Sequence, residues 1–239
     1  MKYIPVGALF LVLVFGTSCE GQNKTDLSKE NTKSATKERV FSTESDDPNF
    51  HTKYEYTDAV GKHLIIENCF PRGGSRYTAP NGEVYAYAVF WTRIINETDH
   101  PLELKIDFLD SYEVPSAPGK YFKLSVPPDT MTLDKEGLFN YGLTNLESFL
   151  DKSIHKPSSL KRTINPKESS DFYVLKLGLV TEGSRDVDGG DILRTGLILK
   201  GQDLFYRVSV YNRQAPPSII GEEEISCGSI NLKNLVLQQ

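Results

Sequence analysis

The hydrophobic pattern is most regular between residues 83 and 110, where two apolar segments flank a short polar one. Residues 84–95 are mainly β-branched, aromatic and small, with apolar side chains on both faces, which predicts a central strand covered on both sides. Leu102–Phe108 alternates apolar and charged residues, which predicts a strand with one face in the core. Residues 96–101 are turn formers. We therefore expect the two strands to form a hairpin.

Six further segments have the β-branched and aromatic content of strands and end near proline, glycine or asparagine. They are residues 62–69, 121–126, 172–180, 193–200, 204–211 and 225–237. A compact turn around Gly201, which can take a positive φ, joins two of them. The apolar positions change parity near Gly228, which predicts a β-bulge in the last segment.

The spacing of apolar residues becomes that of a helix in one segment, which begins after residue 143. Thr144 and Glu147 have the spacing of a capping box, in which the two side chains bond main-chain amides of the first helical turn. Leu146, Phe149 and Leu150 then fall on one helical face. This pattern predicts one short helix that caps an end of the β-structure.

The elements together predict an all-β fold. Some eight strands, loops rich in proline and glycine and a single short helix are typical of two antiparallel sheets packed as a sandwich. Residues 53–239 are enough for one substantial core, and they contain neither an internal repeat nor a second linker. We expect one β-sandwich domain.

The segment before this domain is polar. Residues 19–52 consist largely of Ser, Thr, Lys, Glu, Asn and Asp. Such a segment cannot bury enough surface to offset the entropy of ordering, which predicts a disordered tether. The chain has a net charge of −5, and removal of residues 1–18 with Lys2 makes it one unit more negative. An acidic chain with no apparent basic face argues against nucleic acid as a partner.

The first residues have the three regions of a secretory signal. Lys2 precedes an apolar run over residues 8–15, and small residues follow at positions 16–18. The run is shorter than the roughly 20 apolar residues that a membrane-spanning helix needs. Export is therefore expected, with residues 1–18 as the signal peptide.

Cys19 follows the small residues Thr17 and Ser18 directly, and this leader resembles that of a bacterial lipoprotein precursor. The resemblance implies that Cys19 is acylated and that the protein is anchored to the cell envelope through lipid. Glu20, in place of aspartate after the cysteine, implies delivery to the outer membrane. The alternative is an ordinary signal peptide with a fortuitous cysteine.

Two short segments resemble strand–loop–strand pieces of immunoglobulin-like domains in exported bacterial proteins. They are residues 96–102, NETDHPL, and residues 164–169, INPKES, each followed by a strand. The resemblance implies an immunoglobulin-like sandwich and no particular activity.

Cys69 and Cys227 remain if Cys19 carries lipid. An even pair of cysteines in an exported chain can be oxidised, so we expect a disulfide between them. Two buried free thiols are the alternative.

A metal site is suggested by three carboxylates within six residues, Asp186, Asp188 and Asp191. Calcium prefers several oxygen ligands from such a loop. The order does not fit an EF-hand, because Gly190 occupies a ligand position and no glutamate closes the loop. A plain acidic loop is the alternative to calcium, and no other cofactor is expected.

The aromatic residues Tyr85, Tyr87 and Trp91 fall on one face of the predicted central strand. An exposed row of this kind can bind a sugar or a peptide. The alternative is that the rings pack in the core, as they do in most central strands of sandwiches.

The sequence contains neither a nucleophile elbow nor a phosphate-binding glycine loop, and its four histidines lack metal-ligand spacing. We therefore expect a non-catalytic binding or scaffolding module for an envelope protein or glycan. One alternative is a peptidase inhibitor that presents residues 115–119 or 127–134 as a loop. The others are a calcium- or carbohydrate-binding domain and a sugar-active enzyme with paired carboxylates.

Overall fold

A computed structural model of the chain describes residues 42–43, 49–115, 117–180, 192–212, 218–232 and 237–238. The strands within these residues are β1 (Ser42–Thr43), β2 (Phe50–Asp58), β3 (His63–Cys69), β4 (Arg72–Thr78), β5 (Val84–Asn96), β6 (Leu102–Phe108), β7 (Tyr112–Val114), β8 (Ala117–Ser125), β9 (Ser158–Ile164), β10 (Ser169–Leu179), β11 (Ile192–Lys200), β12 (Asp203–Tyr211), β13 (Ile219–Asn231) and β14 (Leu237–Gln238). The helical segments are the 3₁₀ turns Leu133–Lys135 and Phe139–Gly142 and the α-helix α1 (Leu146–Ser153).

The strands form two antiparallel sheets that pack face to face. The first sheet has the order β1-β2-β3-β5-β10-β8-β7, with β14 beside β2 and β4 beside β5. The second sheet has the order β11-β12-β13-β6-β9. The prediction of an all-β, two-sheet antiparallel sandwich with one short α-helix is confirmed.

The predicted hairpin over residues 83–110 is wrong, although both of its strands form. β5 lies in the first sheet, between β10 on one side and β3 and β4 on the other. β6 lies in the second sheet, between β13 and β9. The polar segment between β5 and β6 is therefore a crossover between the sheets and not a hairpin turn.

The buried side chain of Asn96 explains this crossover. Its Nδ2 donates to the carbonyl oxygens of His100 at 2.8 Å, Ile164 at 3.0 Å and Asn165 at 3.1 Å. Ile164 ends β9 and Asn165 begins the turn to β10, where the chain returns from the second sheet to the first. Asn96 therefore ties the two crossovers together.

The local turn and bulge predictions are confirmed. β11 and β12 form a hairpin in which Lys200 pairs with Asp203 and Gly201 has a φ of 62°. The register between β12 and β13 shifts between Leu204 and Phe205, which lie opposite Gly228 and Ser226. The predicted parity change is this shift.

The predicted helix forms as α1, but the capping box does not. The residue that precedes the helix is Asn145, with a left-handed φ of 56°, and no side chain caps the first turn. Thr144 is one position too early to accept a hydrogen bond from the first-turn amides. Tertiary contacts therefore fix the start of the helix.

The first long strand, β2, begins at Phe50, and β1 pairs with it at Tyr54 and Lys53. The last three residues of the predicted tether thus lie in a strand. Residues 1–41, with the predicted signal peptide and Cys19, lie outside the described residues.

Candidate functional site

The structure corrects the prediction of an exposed aromatic face on β5. Tyr85 and Trp91 are buried, with 4% and 1% of their surface exposed, and Tyr87 is half-buried. Tyr85 and Trp91 pack in the core, which was the alternative interpretation of the sequence.

A segment that follows β8 covers the aromatic face. We call residues 127–157 the cap. The ring of Tyr141 packs edge-on against Trp91, with 6.2 Å between ring centroids. Asn140 Nδ2 lies 3.5 Å from the hydroxyl of Tyr87. The hydrogen bond of 2.7 Å from the Tyr77 hydroxyl to Asp151 connects β4 to the end of α1 in the cap.

The opposite face of β5 packs on the second sheet. Thr92 Oγ1 donates to Asn68 Oδ1 at 3.0 Å, and Asn68 Nδ2 donates to the carbonyl of Leu197 in β11 at 3.1 Å. β5 is therefore covered on both faces, as its apolar pattern predicted. The second sheet covers the face of Thr92, and the cap covers the face of Trp91.

The outer side of the cap carries three large apolar side chains. Leu133, Leu138 and Phe139 have 58%, 53% and 76% of their surface exposed. We call these three residues the apex. Burying a side chain of this size contributes about 1.5–3 kcal/mol. The apex is therefore a candidate contact surface for a partner.

Arg72 at the start of β4 holds the apex loop in place. Its Nη1 donates to the carbonyl oxygens of Glu136 and, at 2.8 Å, Leu138. Its guanidinium also lies 4.1 Å above the ring of Tyr141. The Tyr141 hydroxyl in turn donates to the carbonyl of Phe70 at 2.6 Å. The loop is thus bonded to the sheet at several points on either side of Phe139.

The backbone next to Phe139 has an uncommon conformation. Asn140 and Tyr141 have φ angles of 49° and 54°, in the left-handed region. Non-glycine residues there cost about 1–3 kcal/mol each and persist where the surroundings hold them. The Tyr173 hydroxyl, which donates to the Tyr141 carbonyl at 2.8 Å, contributes to this hold.

Replacement of Arg72 by methionine tests how the apex is held. We expect Arg72→Met to lower the free energy of unfolding by about 2 kcal/mol, because two hydrogen bonds from a charged donor are lost. Amide hydrogen exchange at residues 136–142 should become faster. Arg76→Met is the matched control, since Arg76 is an exposed residue of the same strand and should change stability by no more than about 0.5 kcal/mol. Unchanged exchange in the loop of the Arg72 variant would contradict this account.

Only part of the predicted inhibitor loop, residues 127–134, is exposed where a peptidase could bind it. Pro127 and Met131 are buried, and Thr130 bridges to Phe172 of β10. In the other predicted loop, Gly119 N–H donates to Glu113 Oε1 at 2.6 Å. Phe139, which has the largest exposed fraction among the large apolar residues that the structure describes, lies outside both predicted loops. The sequence signal is the apolar pair in Gly-Leu-Phe-Asn-Tyr-Gly, residues 137–142, flanked by residues that tolerate a positive φ.

Cys69 and Cys227 are free in the structure, so the predicted disulfide is not formed. Cys69 lies at the end of β3 in the first sheet, where its sulfur accepts the Trp91 N–H at 2.8 Å. Cys227 lies in β13 of the second sheet. Burial raises the pKa of each thiol to about 12. Both behave as small buried side chains at neutral pH.

The predicted calcium ligands Asp186, Asp188 and Asp191 lie outside the described residues. Among the residues that the structure describes, no group of three or more His, Cys, Asp or Glu side chains is placed to hold a metal ion. The described helices are also too short or too polar to cross a membrane.

Comparison of the chain with protein-family models, with curated proteins and with solved structures gives no match. The likeness of the leader to lipoprotein precursors, and of two segments to immunoglobulin-like domains, therefore stays a prediction from the sequence.

Proposed function

We propose that this protein is exported, is anchored to the cell envelope through lipid on Cys19, and acts there as a non-catalytic module that binds a partner protein through the apex. The leader sequence supports export and lipid anchoring. The apex geometry supports the binding role.

One observation carries the proposal: Leu138 and Phe139 are adjacent, largely exposed and held on a loop that is bonded to the sheet. Contiguous exposed apolar side chains commonly mark interaction sites. A loop that is already held in one conformation loses little entropy on binding. The expected partner surface is an apolar pocket that accepts the ring of Phe139.

Substitution at the apex tests the proposal. The full chain is used to capture partners from envelope extracts, and each captured protein is then purified and its Kd measured directly. We expect Leu138→Ser/Phe139→Ser to weaken binding by about thirtyfold or more, because truncation of a central aromatic residue commonly costs 2 kcal/mol or more. The variant should keep its stability within about 0.5 kcal/mol, since both side chains are exposed.

Val60→Ser/Leu109→Ser is the matched control. Val60 and Leu109 are also largely exposed apolar residues, at 75% and 66%, and neither belongs to the cap. Equal loss of binding in both double variants would contradict the proposal, since it would indicate unspecific hydrophobic capture. Inhibition of a peptidase that is lost with the apex would instead support the inhibitor alternative.

A further inference from the structure

The two edges of the second sheet differ. At one edge, β11, side chains of the first sheet bond the main chain. Asn68 accepts the Leu197 N–H at 2.8 Å and donates to the Leu197 carbonyl at 3.1 Å. The hydroxyl of Tyr56 accepts the Leu199 N–H at 2.8 Å. This edge is therefore closed where Leu197 and Leu199 face outward.

At the other edge, β9 pairs with β6 over all seven of its residues. The carbonyl oxygen of Lys105 in β6 points to β13, since it would lie only 1.9 Å from a Cβ on Gly228. Main-chain groups alternate in direction along a strand, so those of Leu104 and Ile106 point to β9 and meet their partners Arg162 and Leu160. The main-chain groups of Lys161 and Thr163 therefore point to the open side. Among the described residues, no main-chain or side-chain group bonds to them there. β9 is thus an open edge.

The edge is also basic, although the chain as a whole is acidic. Residues 152–167 contain five Lys and Arg residues and no Asp or Glu, whereas the net charge of the chain is −5. No basic face is apparent from the composition of the whole chain. Arg162 is engaged, since it donates to Ser170 Oγ and the Asp171 carbonyl. Lys152, Lys156 and Lys161 are exposed.

Lysine on an edge strand disfavours some partners and selects others. A second copy of β9, paired antiparallel, would bring Lys161 and Arg162 close to the same cations of its partner, and like charges on paired strands destabilise. An acidic strand would instead place carboxylates near Lys161. A shallow depression of about 350 Å³ beside this residue is bordered by Lys105, Thr163 and Glu103, and the Glu103 carboxylate is already engaged by the Thr163 hydroxyl at 3.0 Å.

We infer that β9 takes up an extended acidic segment of a partner protein as an additional strand of the second sheet. The main chain of the segment bonds to Lys161 and Thr163, and its carboxylates lie near the side chains of Lys161 and Lys156. This site is separate from the apex and does not depend on the function proposed for the apex.

The test uses the full chain and a seven-residue probe peptide in which glutamate alternates with valine. A second peptide has the same sequence with N-methyl groups on the amides that would face β9, and a third has lysine in place of glutamate. We expect the acidic peptide to bind with a Kd below about 1 mM. Binding should slow amide hydrogen exchange at Lys161 and Thr163. The other two peptides should neither bind nor slow this exchange.

Two protein variants locate the effect. Lys161→Glu should weaken binding of the acidic peptide by about tenfold, since it replaces an attraction by a repulsion. Phe139→Ser should leave that binding unchanged, which separates this site from the apex.

Four results would overturn the inference. Equal binding of the N-methylated peptide would indicate charge attraction without strand addition, and preference for the lysine peptide would exclude an acidic partner. No binding at about 1 mM would exclude the site. Self-association of the chain that protects the same two amides without peptide would identify a second copy as the occupant.

Discussion

Replacing Asn96 by aspartate is expected to lower the free energy of unfolding by about 5 kcal/mol or more. Asn96 has none of its surface exposed, and its Nδ2 donates to three carbonyl oxygens. Aspartate has nearly the same shape but places a charged acceptor against these acceptors. Loss of the hydrogen bonds costs about 1–3 kcal/mol, and an uncompensated buried charge costs about 3–5 kcal/mol. Typical domains have only about 5–15 kcal/mol of stability.

The effect should depend on pH in one direction. Burial against three carbonyl oxygens raises the pKa of the introduced carboxyl group above its unfolded value of about 3.9. Below about pH 3.9 the introduced carboxyl group is neutral in the folded and in the unfolded protein, and its protonated form can donate one hydrogen bond. The difference from the parent protein should therefore be smallest in acid and should grow as the pH rises towards neutrality. Urea denaturation between pH 4 and pH 7 measures this.

Asn165→Asp is the matched control for this substitution. Asn165 lies in the neighbouring turn, and its side chain is exposed and bonded to Glu168. The same chemical change there should cost no more than about 1 kcal/mol. If Asn96→Asp were as mild as this control, the side chain of Asn96 would not hold the two crossovers together.

Replacing Gly228 by alanine is expected to cost about 4 kcal/mol or more. Gly228 has a φ of 150°, and a Cβ there would lie 1.9 Å from the carbonyl oxygen of Lys105 and 3.0 Å from Cα of Ile106. Both contacts are with backbone of β6, which cannot rotate away as a side chain can. β13 would have to move off β6 and lose the pairing of Gly228 with Ile106.

Gly201→Ala separates backbone strain from this steric clash. Gly201 also has a positive φ, 62°, but a Cβ there would meet nothing within 4 Å. Strain alone should cost about 1–2 kcal/mol. Denaturant titration of both variants gives the comparison. Equal losses of stability would show that the close approach of β13 to β6 is not what requires glycine at position 228.

Local pattern explains which predictions from the sequence succeed. The alternation in Leu102–Phe108 and the two-faced apolar run before it depend on neighbouring residues along the chain, and both segments are strands. The bulge at Gly228 follows from the parity of apolar residues around it. These features depend on side-chain direction within one segment, which the sequence contains.

Long-range packing explains the failures. A turn-forming sequence such as residues 96–101 reverses a chain equally well within a sheet or between sheets, and the choice depends on carbonyl groups at Ile164 and Asn165, far along the chain. Likewise, burial of Trp91 depends on Tyr141, 50 residues later in the cap, which packs on its ring. The apex was missed because its exposure depends on Arg72 and Tyr141.

The sequence by itself determined eight of the described strands, the helix α1, the tight turn at Gly201 and the all-β class, because each depends on residue preferences and periodicity over a few residues. Only the tertiary structure decided which sheet each strand joins, which aromatic residues are buried, that Cys69 and Cys227 are buried free thiols, and where apolar and basic surface is presented. These outcomes depend on contacts between residues distant in the chain, where burial and hydrogen bonding outweigh local preference.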